Sequence, residues 1–75
     1  MDIKQAKELY KMGVLSEMVI TRDGENWLLV IVDAKGNGHT LQTVRGEDKV
    51  YSKMDTVVGD MEAICDKVSS LVFKL

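Results

Sequence analysis

The run Trp27-Leu28-Leu29-Val30-Ile31-Val32-Asp33 lies between two turn-forming clusters, Asp23-Gly24-Glu25-Asn26 before it and Ala34-Lys35-Gly36-Asn37-Gly38 after it. A strand points alternate side chains to opposite faces, so an apolar run without polar alternation calls for cover on both sides. One face carries Leu28, Val30 and Val32, the other Trp27, Leu29 and Ile31. This is the pattern of a central strand, and it predicts a compact α+β domain with an interaction surface wherever cover is missing.

The neighbouring segments supply the rest of the sheet. Glu17 to Arg22 reads as a strand, with Met18, Ile20 and Arg22 on one face and Val19 and Thr21 on the other. The turn at Asp23-Gly24-Glu25-Asn26 joins it to the central run as a hairpin. Gly36-Asn37-Gly38 makes a second hairpin turn, because glycine and asparagine tolerate positive φ. His39 to Val44 follows as a third strand, and Gly46-Glu47-Asp48 marks a polar bend.

Helices flank this meander. Ile3, Ala6, Leu9 and Tyr10 form an apolar stripe at helical spacing over Asp2 to Met12, with Gly13 as the stop. Ser52-Lys53-Met54-Asp55 reads as a helix start, with serine as the cap and an acid in the first turn. The second helix is expected from about Lys53 to Lys67. Met54, Val57, Val58, Met61, Ile64, Cys65 and Val68 form its apolar face, with Asp60, Glu62 and Asp66 opposite. In the tail from Ser69 to Leu75, the Val-Phe content favours a short closing strand over a helical extension. The expected order is α-β-β-β-α-(β): an antiparallel three-stranded meander, a helix packed on one face, and a short C-terminal strand.

Seventy-five residues make one domain, 1–75. A domain of this size buries only roughly 60% of its unfolded surface, and self-association is a common supplement. Cys65 is the single cysteine and His39 the single histidine, which excludes an intrachain disulfide and a Cys/His structural zinc site. No metal or other cofactor is expected. Ten basic and twelve acidic residues are scattered along the chain, so charge points to no polyanionic partner. The polar start Met1-Asp2-Ile3-Lys4-Gln5 has no secretory character, and the six-residue apolar run falls far short of the roughly 20 that a membrane helix needs. A soluble, cytoplasmic protein without membrane attachment is expected.

Catalytic candidates are few. His39 follows a glycine-rich turn, where a solvated side chain is the simpler reading. Cys65 lies on the apolar stripe of the second helix, where a buried thiol is the simpler reading. No acid stands beside His39 in sequence to orient it, and the carboxylate pairs Glu47-Asp48 and Asp60-Glu62 read as solubilising charge. Gly36-Asn37-Gly38 lacks the strand-to-helix context of a phosphate loop. No enzyme activity is expected.

Helix, three strands, helix is also the order of double-stranded-RNA-binding domains. Under that alternative reading, a nucleic-acid-binding domain would use Arg22, Lys35, Arg45, Lys49 and Lys53 on phosphates. The lysine cluster that those domains carry at the start of the second helix is missing here.

The segment Leu41 to Asp55 resembles small bacterial accessory proteins of plasmids and integrating elements, sometimes labelled partition- or replication-associated. The resemblance covers the last two-thirds of the chain. Its matching positions are Arg45-Gly46, Tyr51, Met54-Asp55 and Ile64, with Met54 in place of leucine and Cys65 in place of glycine. It implies a structural motif, with Gly46 in a tight bend, Tyr51 as a hydrophobic staple and Asp55 in the first helical turn, and no catalytic residues. The expectation is a non-enzymatic interaction protein of a mobile element that forms a homodimer or binds another protein. Its candidate interface residues are Trp27, Leu29 and Ile31.

Overall fold

The computed structural model describes residues 1–65 and the backbone of 71–74. Helix α1 (Ile3–Lys11) is followed by β1 (Leu15–Asp23), β2 (Asn26–Asp33), β3 (Gly38–Thr40), helix α2 (Met54–Ile64) and β4 (Leu71–Lys74). The four strands form one sheet in the order β3-β2-β1-β4. β1–β2 and β2–β3 pair antiparallel, and β4 pairs parallel to β1. The mixed α+β order is the expected one, and the closing strand is present at 71–74.

Local chemistry explains the turns. Asp23 pairs with Asn26, so Gly24 and Glu25 form a two-residue loop. Gly24 takes φ +62° at the first loop position, the place where a tight hairpin requires glycine. At the β2–β3 turn Asp33 organises the backbone: its Oδ1 accepts from the N–H of Lys35 (2.9 Å) and of Asn37 (3.0 Å).

Several boundaries differ from the sequence reading. β1 begins at Leu15 because a bulge at Ser16 lets Leu15 pair with Asp33 and Glu17 with Val32. The extra residue reverses the alternation, and Leu15 packs against the core. β3 stops at Thr40; Gln42 instead bridges to Asp48 and, on its other side, to Asp2. Asp2 caps α1 through a reciprocal pair of hydrogen bonds with Gln5, each 2.9 Å. Tyr10, expected on the buried stripe of α1, is exposed.

The cap of α2 is Lys53, not Ser52, and it makes no side-chain capping bond. That places Tyr51 two residues before the cap, outside the staple position. α2 also ends earlier than expected, because Cys65 is already extended at φ −131°, ψ 144°. Residues 66–70 and Leu75 lie outside the described residues, and with them the expected helical positions Asp66, Lys67 and Val68 and the Ser69-Ser70 pair. No helix among the described residues is long and apolar enough to cross a membrane.

Both helices pack on the same face of the sheet. Met18 and Ile20 of β1 and Leu29 and Ile31 of β2 share one buried cluster with Ala6 of α1 and with Val57, Met61 and Ile64 of α2. Leu41 and Tyr51 complete it from the segment between β3 and α2. That segment is sewn to the sheet: Trp27 and Tyr51 exchange backbone hydrogen bonds of 2.8 and 2.9 Å, and the Leu41 N–H donates to the Leu29 carbonyl at 2.7 Å.

Candidate functional site

The strand register assigns every side chain of β1–β3 to a face. Met18 lies beside Ile31, Ile20 beside Leu29 and Arg22 beside Trp27 on the helix side. Glu17 lies beside Val32, Val19 beside Val30 and Thr21 beside Leu28 on the other. Thr40 of β3 joins this second face next to Val30, and Gly38 next to Val32. No helix covers it among the described residues. Val19, Leu28, Val30 and Val32 are half-buried.

The expected interface residues are therefore corrected by their placement. Leu29 and Ile31 are 0% exposed, at the centre of the helix-covered core. Trp27 shares that face near its rim, with the Arg22 guanidinium 4.9 Å from its ring centroid. The apolar face left open is the alternate set, Leu28, Val30 and Val32 with Val19. Both sets are apolar in sequence, and only the docking of the helices distinguishes them.

The centre of the open face is uncharged. Glu17 and Asp23, towards its two ends, are the ionisable side chains that the register of β1–β3 puts on it, and Lys74 of β4 takes the position beside Thr21. The charges gather at the ends: Asp23 and Glu25 at the β1–β2 turn, and Lys35 at the β2–β3 turn, all exposed. These two turns lie at opposite ends of β2, whose eight residues span roughly 25 Å.

The five basic residues of the nucleic-acid reading are divided between the two ends of the sheet, at Arg22 and Lys35, and the 43–53 segment. Arg22 donates to the Gly24 carbonyl at 3.0 Å and covers Trp27. Lys35 stands at the far end of the sheet. Lys49 is bound to Asp60 at 2.6 Å. Arg45 lies on the exposed 43–47 turn, and Lys53 is exposed at the start of α2.

Two polar constellations emerge that the sequence reading did not assign. Asp60, read as solubilising charge, accepts from both the Tyr51 hydroxyl (2.5 Å) and the Lys49 ammonium (2.6 Å) through the same Oδ2. The Tyr51 side chain is buried in the core, and burial followed by the Asp60 carboxylate pushes its hydroxyl well above the usual tyrosine range. The trio pins the 49–51 segment to α2. Its one trace in the sequence is that Asp60 immediately precedes Met61, at the border of the apolar stripe.

The second is His39. Its Nε2 lies 3.1 Å from Asp33 Oδ2, so an acid does stand beside the imidazole, brought there by the β2–β3 pairing. The His39 hydrogen bond, then the backbone N–H groups of Asn37 and Lys35, hold the Asp33 carboxyl below its ordinary value of 3.8. Asp33 is thus occupied by three donors within its own turn.

Cys65 is buried and its thiol donates to the Met61 carbonyl at 3.4 Å. Among the described residues, no three His, Cys, Asp or Glu side chains converge as a metal site. A cavity of about 330 Å³ opens between the end of α1 and the β2–β3 turn, lined by Leu9, Val14, Asp33, Ala34, Lys35 and Asn37. The carboxylate in its wall is the one already saturated by its own turn.

Comparison of the chain with known protein families, with curated protein sequences and with solved structures gives no match.

Proposed function

We propose that this chain is a non-enzymatic interaction module that self-associates through the open face of its sheet. The observation behind this reading is the one-sided placement of both helices against a strand that is aliphatic on both sides. Antiparallel sheets commonly face water on one side, but then the outward positions are polar. Here Val19, Leu28, Val30 and Val32 occupy the centre of the open face, with Glu17, Thr21, Asp23, Asn26 and Thr40 around them. An aliphatic patch with its charges at the ends is complementary to a copy of itself, and sheets pack face to face at about 10 Å with interdigitating side chains.

Area sets the strength. Four strands of nine, eight, three and four residues, about 4.8 Å apart, give a footprint of roughly 400 Å² per copy. Stable interfaces bury about 800 Å² per partner, so the homodimer is weak and exchanges readily, with a Kd in the micromolar range or above. The resemblance of Leu41–Asp55 to accessory proteins of plasmids and integrating elements supports a place for the module in the cytoplasm of a bacterium carrying such an element. Partition or conjugation genes beside the coding sequence would agree with that place, and a metabolic operon would contradict it.

Sedimentation equilibrium from about 10 µM to 1 mM tests the self-association. The weight-average mass should rise towards twice the monomer mass. The double substitution Leu28→Thr with Val30→Thr, which keeps strand propensity at both positions, should leave a folded monomer throughout. A wild-type chain that stays monomeric at 1 mM would refute the reading.

A further inference from the structure

Two copies of a sheet can meet face to face in two ways that keep two-fold symmetry and roughly aligned strands. With the axis parallel to the strands, β1 of one copy lies over β2 of the other and both β1–β2 turns sit at the same end. With the axis across the strands, β1 lies antiparallel over β1 of the partner and the turns sit at opposite ends. Resting on the self-association proposed above, we infer that the copies pack in the second way, with Val19 near the axis and the acidic β1–β2 turn of each copy over the Lys35 end of the other.

The charges decide between the two arrangements. In the first, the two Glu17 carboxylates stand at one end of the sandwich, about one strand spacing apart, against the apolar Val32 of the opposite copy. The two turns bearing Asp23 and Glu25 are brought together as well. Like charges facing each other across an interface oppose association and disfavour that arrangement, most strongly at low salt.

In the second arrangement Glu17 lies over the partner's Thr21, four residues along the strand, whose hydroxyl can donate to the carboxylate. The two Glu17 side chains are then roughly 13 Å apart. The exposed Asp23 and Glu25 face the partner's Lys35, which supplies the opposite sign. Arg22, at the same end, is on the other side of the sheet, engaged with Trp27 and Gly24, and Lys74 of β4 takes the register position beside Thr21, the residue that Glu17 of the partner lies over. The alignment also stacks β2 over β2 of the partner, Val30 near Val30, which keeps the aliphatic centre of both faces in register.

A spin label on Glu25→Cys, exposed in the β1–β2 turn, with Asp23 left in place as the acid opposite Lys35, reads the alignment from the distance between labels. Cys65 is buried, and wild-type protein treated with the same reagent verifies that it does not react. At concentrations where sedimentation gives dimer, the separation should be roughly 40 Å, from six residues of strand and turn on each side of Val19. A separation of roughly 20 Å or less in a sedimenting dimer would overturn the alignment and leave the self-association standing. A sample that is monomeric by sedimentation overturns both.

A charge exchange gives a second readout with no label. Lys35→Glu should weaken the dimer several-fold at low salt, and adding Glu25→Lys in the same chain should restore it. Equal weakening by the single and double variants would contradict the inferred alignment.

Discussion

Strand β2 presents two faces that are nearly equal in sequence and unlike in structure. Leu29 and Ile31 are 0% exposed beneath the two helices, whereas Leu28, Val30 and Val32, one residue away on the other face, are covered by nothing described. Apolar composition alone therefore does not make a core. A face becomes core where the loops and helices are tied over it, here by the Trp27–Tyr51 backbone pair and by the Lys49–Asp60–Tyr51 trio. The opposite face is also aliphatic at its centre, and among the described residues no segment is tied over it.

The largest effect should come from the covered face. Ile31→Ala or Leu29→Ala should cost about 2–5 kcal/mol in denaturant unfolding, a large share of the roughly 5–15 kcal/mol that a whole domain has. If either substitution cost no more than its neighbour Val30→Ala, the division of the two faces would be wrong. The tether comes next. Asp60→Ala leaves a buried tyrosine hydroxyl without its acceptor and should cost about 1–3 kcal/mol, while Tyr51→Phe, which removes donor rather than acceptor, should cost about 1 kcal/mol.

The same tether has an alkaline signature. The Tyr51 hydroxyl is held above its ordinary value of 10.0, so the folded state keeps this proton more tightly than the unfolded chain. The associated stability is complete below pH 10 and is lost as pH rises above it. Wild-type protein should lose stability more steeply than Tyr51→Phe above pH 10 in parallel urea titrations.

On the open face Val30→Thr should change monomer stability by less than about 1 kcal/mol, its main effect being on association. The smallest effect belongs to Asp33, whose carboxyl is depressed below 3.8 by His39 and by its own turn. Its contribution is present above about pH 4 and disappears as pH falls through the lowered value. The stability gap between wild type and Asp33→Asn should narrow between pH 5 and pH 2; a constant gap would mean that the carboxylate plays no part.

Much of this fold is legible in the sequence because its signals are local. The uninterrupted run at Trp27–Val32, the glycine turns on either side of it and the three-to-four spacing of Val57, Met61 and Ile64 each depend on residues close together in the chain. What is not legible depends on contacts between distant residues. The bulge at Ser16 becomes visible only when Leu15 is set against Asp33. The choice between the two faces of β2 depends on Tyr51 and Leu41, which reach the sheet from the far side of β3. The acid beside His39 is Asp33, across a hairpin whose register no local pattern states. Asp60 looks like any other helix-surface acid until Tyr51 is placed beside it.

Side-chain methyl chemical shifts followed on dilution from about 1 mM to 10 µM compare the two faces residue by residue in the intact chain. The methyls of Val19, Leu28, Val30 and Val32 should shift together along one binding curve, while those of Ile20, Leu29 and Ile31 stay in place. Shifts that are independent of concentration, or that appear on the helix-covered set instead, would contradict the assignment of one sheet face to the core and the other to a second copy of the chain.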